Sequence, residues 1–234
     1  MLFISPPFGN YISLPNTTPV RGSFTLQPRP GLFSQIMKTL RYSTKYSGWV
    51  NKIGLRNPGL DVALDRYSSR NIISIAILSR NEIKSIVKKI PIDQNIELNV
   101  SCPNTEKATI CEGLGVFVNP EREWCIIKLA PTTTLGEVDG FYGQGFRQFH
   151  CSNTLPRPEG AVSGPLLRPK VFSLLRMVRE AYPEVTLIGG GGVRSIEDAE
   201  EYLKAGADHI SVSTLCFNPV RFAWFYWNWR NKGI

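Results

Sequence analysis

Residues 185–214 read VTLIGGGGVRSIEDAEEYLKAGADHISVST, and the order of features along them decides the fold. Val185 to Ile188 is a short apolar run of strand character, and His209 to Val212 is another. Between them Ser195 can cap a helix that continues to Ala205, with Asp198 three residues after the cap and Gly206 as the stop. Four consecutive glycines, Gly189 to Gly192, sit where the first run hands over to the helix. Apolar runs without strict alternation suit strands buried on both faces of a parallel sheet, and the helix between them supplies the crossover.

Working outward, the same kind of run recurs at Leu2 to Ser5, Pro19 to Leu26, Ile72 to Leu78, Ile96 to Val100, Cys125 to Leu129 and Phe146 to Cys151. That makes eight predicted strands. Lys170 to Ala181 and Asn81 to Lys89 carry apolar residues at helical spacing and read as outer helices. Eight strand-helix units predict an α/β fold, a closed (β/α)8 TIM barrel, more readily than an open doubly wound sheet. With 234 residues, no internal repeat and no linker, residues 1–234 read as one barrel domain.

Hydrophobic residues make up 42% of the chain, which is globular composition. No apolar run approaches the ~18 residues of a membrane span, and no signal-peptide pattern follows Met1, so a soluble, cytoplasmic protein is expected. Five cysteines without a C-x-x-C pair, and two histidines, His150 and His209, offer no zinc-type spacing. They read as reduced thiols, and no metal is expected. The net charge is +8, and residues 1–60 hold seven basic side chains and no acidic one. Such a segment could bind RNA, a membrane surface or a small anion in a cleft, or it could be a solvated basic face.

In a parallel barrel the chemistry gathers where strands end. The Ile96 to Val100 run leads into NVSCPN, with Asn99 and Asn104 flanking Cys102. Paired carboxamides can read a planar ring bearing carbonyl and N–H groups, and a thiol between them could take a proton or act as a nucleophile. The competing reading is a turn beside a small buried thiol. Lys128 lies inside the apolar strand WCIIKLAP and must meet an anion or an electron-rich ring atom, because an unpaired buried ammonium is expensive. Phe146 to Cys151 ends in Ser152, Asn153 and Thr154. After strand seven, glycine amides can converge on a phosphate, with Ser213 and Thr214 at the end of strand eight closing the site. A phosphorylated cofactor beside a neutral, amide-rich pocket points to redox or carbanion chemistry on a heterocycle.

These residues resemble the dihydroorotate dehydrogenase family, flavoprotein barrels of pyrimidine biosynthesis. The resemblance runs through TLQPRPG at Thr25 to Gly31, NKIGLRNPG at Asn51 to Gly59, NVSCPN at Asn99 to Asn104 and KLAP at Lys128 to Pro131. It continues through SNT at Ser152 to Thr154, EGAVSG at Glu159 to Gly164, IGGGGV at Ile188 to Val193 and AGADHISVST at Ala205 to Thr214. It implies a pyrimidine, dihydroorotate or orotate, held by Asn51, Asn99, Asn104, Asn153 and Thr154, with the backbone of Ile53, Gly54 and Leu55 around its carboxylate. It implies FMN contacted by Lys128, Ser163 and Gly164, with its phosphate on Gly191, Gly192, Ser213 and Thr214. Cys102 falls at the general base and is similar to the soluble class, where it would remove the C5 proton as hydride leaves C6 for FMN.

The resemblance departs at Gly22, where the family carries a lysine and this chain has Arg21 alongside, and at Leu32, Ala161 and Ser213. Leu2 to Ser5 would be strand one, without the hairpin that closes the barrel floor in the family. Two alternatives stand beside this reading: an enzyme similar to tRNA dihydrouridine synthases, which would use the basic segment, and a non-catalytic FMN-binding relative. No nucleic-acid partner is expected on the first reading. The last stretch, from Phe217, carries Trp224, Trp227 and Trp229 among basic residues. It reads as the eighth barrel helix, or else as a subunit contact in a homodimer or an interfacial anchor.

Overall fold

The computed structural model describes residues 1–100 and 112–233. Eight strands close a parallel barrel. In order around it they are β1 (Leu2–Ile4), β12 (His209–Val212), β11 (Thr186–Gly190), β8 (Gln148–Cys151), β7 (Cys125–Leu129), β6 (Ile96–Asn99), β5 (Ile72–Ala76) and β2 (Thr17–Phe24). Each coincides with one of the eight runs read from the sequence, and β1 pairs with both β12 and β2 to complete the ring. The chain has the (β/α)8 TIM-barrel fold. Among the described residues no helix is long and apolar enough to cross a membrane.

Alternation within each strand divides the core. Leu2, Ile4, Ile73, Ile75, Ile127, Leu129, Leu187 and Ile210 face outward into a large cluster shared with the helices. Phe3, Val20, Ile72, Trp124, Ile126 and Ile188 form a separate apolar plug inside. Two residues further along the same inward faces, the side chains turn polar: Ser5 follows Phe3, Ser74 follows Ile72, and Lys128 follows Ile126. The barrel is therefore sealed by hydrocarbon at the amino-terminal ends of its strands and lined with hydrogen-bonding groups at the carboxyl-terminal ends.

Helix α5 (Arg168–Ala181) buries Val171, Leu174, Leu175 and Val178 at helical spacing. Helix α6 (Ile196–Lys204) begins as its sequence predicts, with the Asp198 N–H donating to Ser195 Oγ at 3.3 Å. Asp198 Oδ2 reaches back to the Arg194 N–H at 2.7 Å, which fixes the exit from the glycine run. Helix α7 (Pro219–Lys232) buries Phe222, Phe225 and Trp229, so the aromatic segment does serve as a barrel helix. Trp224 and Trp227 stay exposed and stack on each other.

A second sheet did not emerge from the sequence. Strands β3 (Arg41–Ser43), β4 (Gly48–Asn51), β10 (Gly160–Ser163) and β9 (Leu155–Arg157) form a four-stranded antiparallel layer in the order β3-β4-β10-β9. Its two halves are excursions that follow β2 and β8. The sheet is joined to the glycine run at Gly164, whose carbonyl lies against Gly192.

Candidate functional site

Lys128 projects inward from β7 with only 8% of its side chain exposed. Its anion is Glu97 of the neighbouring β6, with Nζ 3.3 Å from Oε1. Glu97 is fully buried and its other partners are complete: Ser74 Oγ donates to Oε1 at 2.8 Å, and His150 Nδ1 lies 2.6 Å from Oε2. The expectation that Lys128 must find an anion is met. The partner lies inside the Ile96 to Val100 run, where the sequence alone gives it no mark of a site.

Burial pushes the Glu97 carboxyl upward, but Lys128 and His150 beside it and the Ser74 hydrogen bond outweigh that and hold it at about 2. Burial, reinforced by Lys128, lowers the His150 value despite the attraction of Glu97. The consistent arrangement is an ionised Glu97, a Lys128 cation and a neutral His150 donating from Nδ1.

Both groups have native values below their unfolded ones, so the unfolded chain binds the extra protons and stability falls with falling pH. The His150 contribution is present above pH ~6.5 and is lost as pH falls below that value. The Glu97 contribution is lost from pH ~4.5 downward, where its carboxyl becomes protonated in the unfolded chain. Urea midpoints measured from pH 8 to pH 4 in 0.5 M salt, where exposed pairs such as Lys45 with Glu159 are screened, should fall continuously below pH 6.5. A flat profile would contradict this assignment.

From Glu97 a chain of polar groups rises toward the barrel mouth. Ser74 Oγ lies 2.9 Å from Ser23 Oγ, Asn99 Nδ2 donates to Ser23 Oγ at 3.2 Å, and Asn153 Nδ2 donates to Asn99 Oδ1 at 3.0 Å. Asn153 in turn is fixed by its own N–H on Leu129 O and by the Thr154 N–H on its Oδ1, each 2.9 Å. Asn99 and Asn153 thus meet through their side chains, with Thr154 tied to Asn153 by its backbone N–H and Lys128 on the strand beside Asn99. Cys102 and Asn104 lie outside the described residues.

The resemblance left Arg21 beside the position of the family lysine. Its guanidinium turns away from this cluster, donating to the Gly9 carbonyl and to Asn71 Oδ1 and lying 5.1 Å from the Tyr67 ring. Lys128 is the one buried lysine among the described residues.

Asn51 ends β4 on the small sheet, and its Oδ1 accepts the Ile53 N–H at 3.3 Å. Beyond it Gly54 and Leu55 both have positive φ, +67° and +55°. That turn is organised by buried Asn57, whose Nδ2 donates to Leu55 O at 2.7 Å and Thr25 Oγ1 at 2.9 Å, while its Oδ1 accepts from Thr25 N and Gly59 N. Two motifs far apart in sequence, Thr25 to Gly31 and Asn51 to Gly59, are therefore one structural unit. Arg29 and Arg56 donate to Gly54 O and Pro30 O within it, so part of the basic segment serves as scaffold.

Gly191 and Gly192 adopt φ of +101° and +89° at the end of β11. A Cβ on Gly192 would lie 2.6 Å from Gly164 O and 2.7 Å from Pro165 Cα, so the run approaches the small sheet as closely as backbone allows. The amides of Gly191 and Gly192 have no backbone acceptor among the described residues. Ser213 and Thr214 lie at the end of adjacent β12, with Ser213 Oγ donating to Pro6 O at 3.0 Å. Ser163 sits opposite Trp49 on β10 and leads into Gly164. Free glycine amides, a buried lysine and a close-packed backbone suit the phosphate and polar ring edge of a flavin mononucleotide.

Joined amides beside a buried cation, with a glycine run between strands seven and eight, lie at the carboxyl-terminal ends of the strands, where (β/α)8 enzymes carry their active sites. Residues 17–112 and 144–223 match the family described as dihydroorotate dehydrogenase, and the chain belongs to that family of oxidoreductases. The catalytic subunit of dihydroorotate dehydrogenase B (NAD(+)) from Alkaliphilus metalliredigens is 29% identical over 215 residues, covering 76% of this chain and 70% of the relative. The same subunit from Thermotoga maritima is 29% identical over 263 residues and covers 93% of each chain. That from Enterococcus faecalis strain OG1RF is 30% identical, covering 76% and 69%. The fold is shared with ligand-free DHODH of Eimeria tenella, with a TM-score of 0.68 and 19% identity over 92% of this chain and 78% of that one.

Proposed function

We propose that the protein oxidises dihydroorotate to orotate, with FMN held in the barrel mouth. The observation that carries this reading is the hydrogen bond joining Asn153 to Asn99, which pairs in register with buried Lys128, in a chain of this family. FMN would be held at its phosphate by the amides of Gly191 and Gly192 with Ser213 and Thr214, and at its ring by Lys128, Ser163 and Gly164. When bound, it supplies the acceptor for the hydride leaving C6 of the substrate.

The chain's own groups supply the rest. Asn51, Asn99, Asn104, Asn153 and Thr154 bind the carbonyl and N–H groups of the pyrimidine without adding charge, which orients one ring face. The backbone of Ile53, Gly54 and Leu55 receives the carboxylate. Cys102 takes the proton from C5, so that the new C5–C6 double bond forms as hydride departs.

The reading of an RNA-modifying relative is not favoured by the family match. The test is an anaerobic visible spectrum of the purified, FMN-loaded protein before and after adding dihydroorotate. Bleaching of the flavin band with formation of orotate is expected. A flavin that stays oxidised would point to the non-catalytic relative, and a protein that takes up no FMN would remove the reading altogether.

A further inference from the structure

Glu97 and His150 have no part in the chemistry just described, yet they occupy the centre of the barrel. A fully buried carboxylate with three donors is costly to build, and an apolar barrel interior would be simpler. Its position explains its presence. Glu97, Lys128 and His150 come from three consecutive strands, β6, β7 and β8, and Lys128 pairs in register with both Asn99 and His150. Glu97 lies two residues before Asn99 on β6, in register with Ile126, and its side chain reaches both Lys128 and His150 by direct contact. Ser74 and Ser23 continue the hydrogen bonds upward to Asn99. Glu97 is the single acceptor of the Lys128 ammonium among the described residues, so the other ammonium protons are available to a bound ligand.

We propose that Glu97 and His150 are positioning residues for Lys128, holding its ammonium beneath the flavin and cancelling its charge, so that bound FMN is harder to reduce than it would be over a bare lysine. The inference rests on the reading that FMN binds here. An ammonium in a poorly hydrated site favours the form of the flavin that carries more negative charge, which is the reduced form. A carboxylate 3.3 Å from that ammonium offsets the effect. His150 holds the second carboxylate oxygen at 2.6 Å and keeps the carboxylate from pivoting away. The group is then one anion, one cation and one neutral ring, with a net charge of zero.

The experiment is a redox titration of the FMN-loaded protein, with no substrate present, for wild type and Glu97→Gln. The substitution keeps the side chain's size and removes its charge. Reduced FMN should then be favoured over oxidised FMN by at least about tenfold relative to wild type, which is about 30 mV upward for a two-electron couple. Glu97→Asp withdraws the carboxylate by one methylene and should move the potential the same way by less, so it serves if Glu97→Gln does not fold. His150→Leu should also raise the potential, while His150→Asn, which can place a donor near the Nδ1 position, should restore it. An unchanged or lowered potential in Glu97→Gln, or in Glu97→Asp if only that variant folds, overturns the inference while leaving the proposed function standing. A wild-type protein that binds no FMN overturns both.

Discussion

Gly192→Ala is expected to fold and to lose at least about a hundredfold in affinity for FMN, which is about 2.7 kcal/mol. Two independent costs fall on the added methyl. At φ +89° an L residue is strained by roughly 1–2 kcal/mol. The methyl carbon would also lie 2.6 Å from Gly164 O and 2.7 Å from both Gly164 C and Pro165 Cα, and these are backbone atoms that no side-chain rotation can clear. Relief requires the glycine turn and the small sheet to move apart, which withdraws the Gly191 and Gly192 amides from the place where a phosphate would be received. Gly136→Ala is the matched control, since nothing lies within 4 Å of that methyl in helix α4 (Leu135–Gly143). It should bind FMN as wild type does. Quenching of FMN fluorescence on titration with apoprotein reads both constants. Affinity retained within threefold in Gly192→Ala would show that the cradle lies elsewhere.

The barrel was legible because its signal is redundant. Each strand is a short apolar run, and the two faces of each are buried against different partners, one against helices and the other against the interior plug. The small sheet lacks both signals. Arg41 and Tyr42 of β3 and Pro156 and Arg157 of β9 are exposed, so no run of apolar residues marks those strands. What holds them is tertiary: backbone pairing of β4 with β10, and Trp49 stacked on Phe217 at 4.2 Å. Neither is visible in a window of a few residues.

The site divides the same way. Asn99, Asn153 and Lys128 could be picked out because polar side chains at the ends of apolar strands are conspicuous. Glu97 shares an inward face with Asn99, two residues along the same strand, but lies inside the apolar run rather than at its end. The usable signal was the pair of buried opposite charges, Lys128 in CIIKL and Glu97 in IELN, on adjacent strands of a barrel. Recognising it needed the strand order β6-β7-β8, which fixes who neighbours whom. In the sequence His150 stands out only as a histidine without metal-ligand spacing, and nothing in the runs Pro19 to Leu26 and Ile72 to Leu78 singles out Ser23 or Ser74. Their roles arise from register alone. Asn57 belongs to the same group, since its four hydrogen bonds join segments that sequence spacing keeps apart.

Replacing Cys102 by alanine should slow reduction of bound FMN by dihydroorotate by about 10²- to 10⁴-fold, the range typical for losing a positioned general base. The flavin should remain bound with its absorption intact, because the groups proposed to hold it lie elsewhere in the chain: Lys128 on β7, and Gly191, Gly192, Ser213 and Thr214 at the ends of β11 and β12. Stopped-flow bleaching under anaerobic conditions isolates this half-reaction from whatever reoxidises the flavin. The acting form of a thiol base is the thiolate, and an unperturbed thiol ionises near pH ~8.5. The wild-type rate should therefore climb about tenfold per pH unit below the thiol's value and level off above it. The three cysteines whose surroundings are described, Cys125, Cys151 and Cys216, cannot supply that inflection, because burial pushes each of them up to about 12. Cys102→Ser separates ionisation from position: a hydroxyl in the same place is a far weaker acid, so the rising limb should move out of the accessible range while FMN binding stays unchanged. A Cys102→Ala protein that reduces its flavin within tenfold of the wild-type rate would require another residue to take the C5 proton, and a wild-type rate that does not change from pH 6 to pH 10 would remove the thiol from that role.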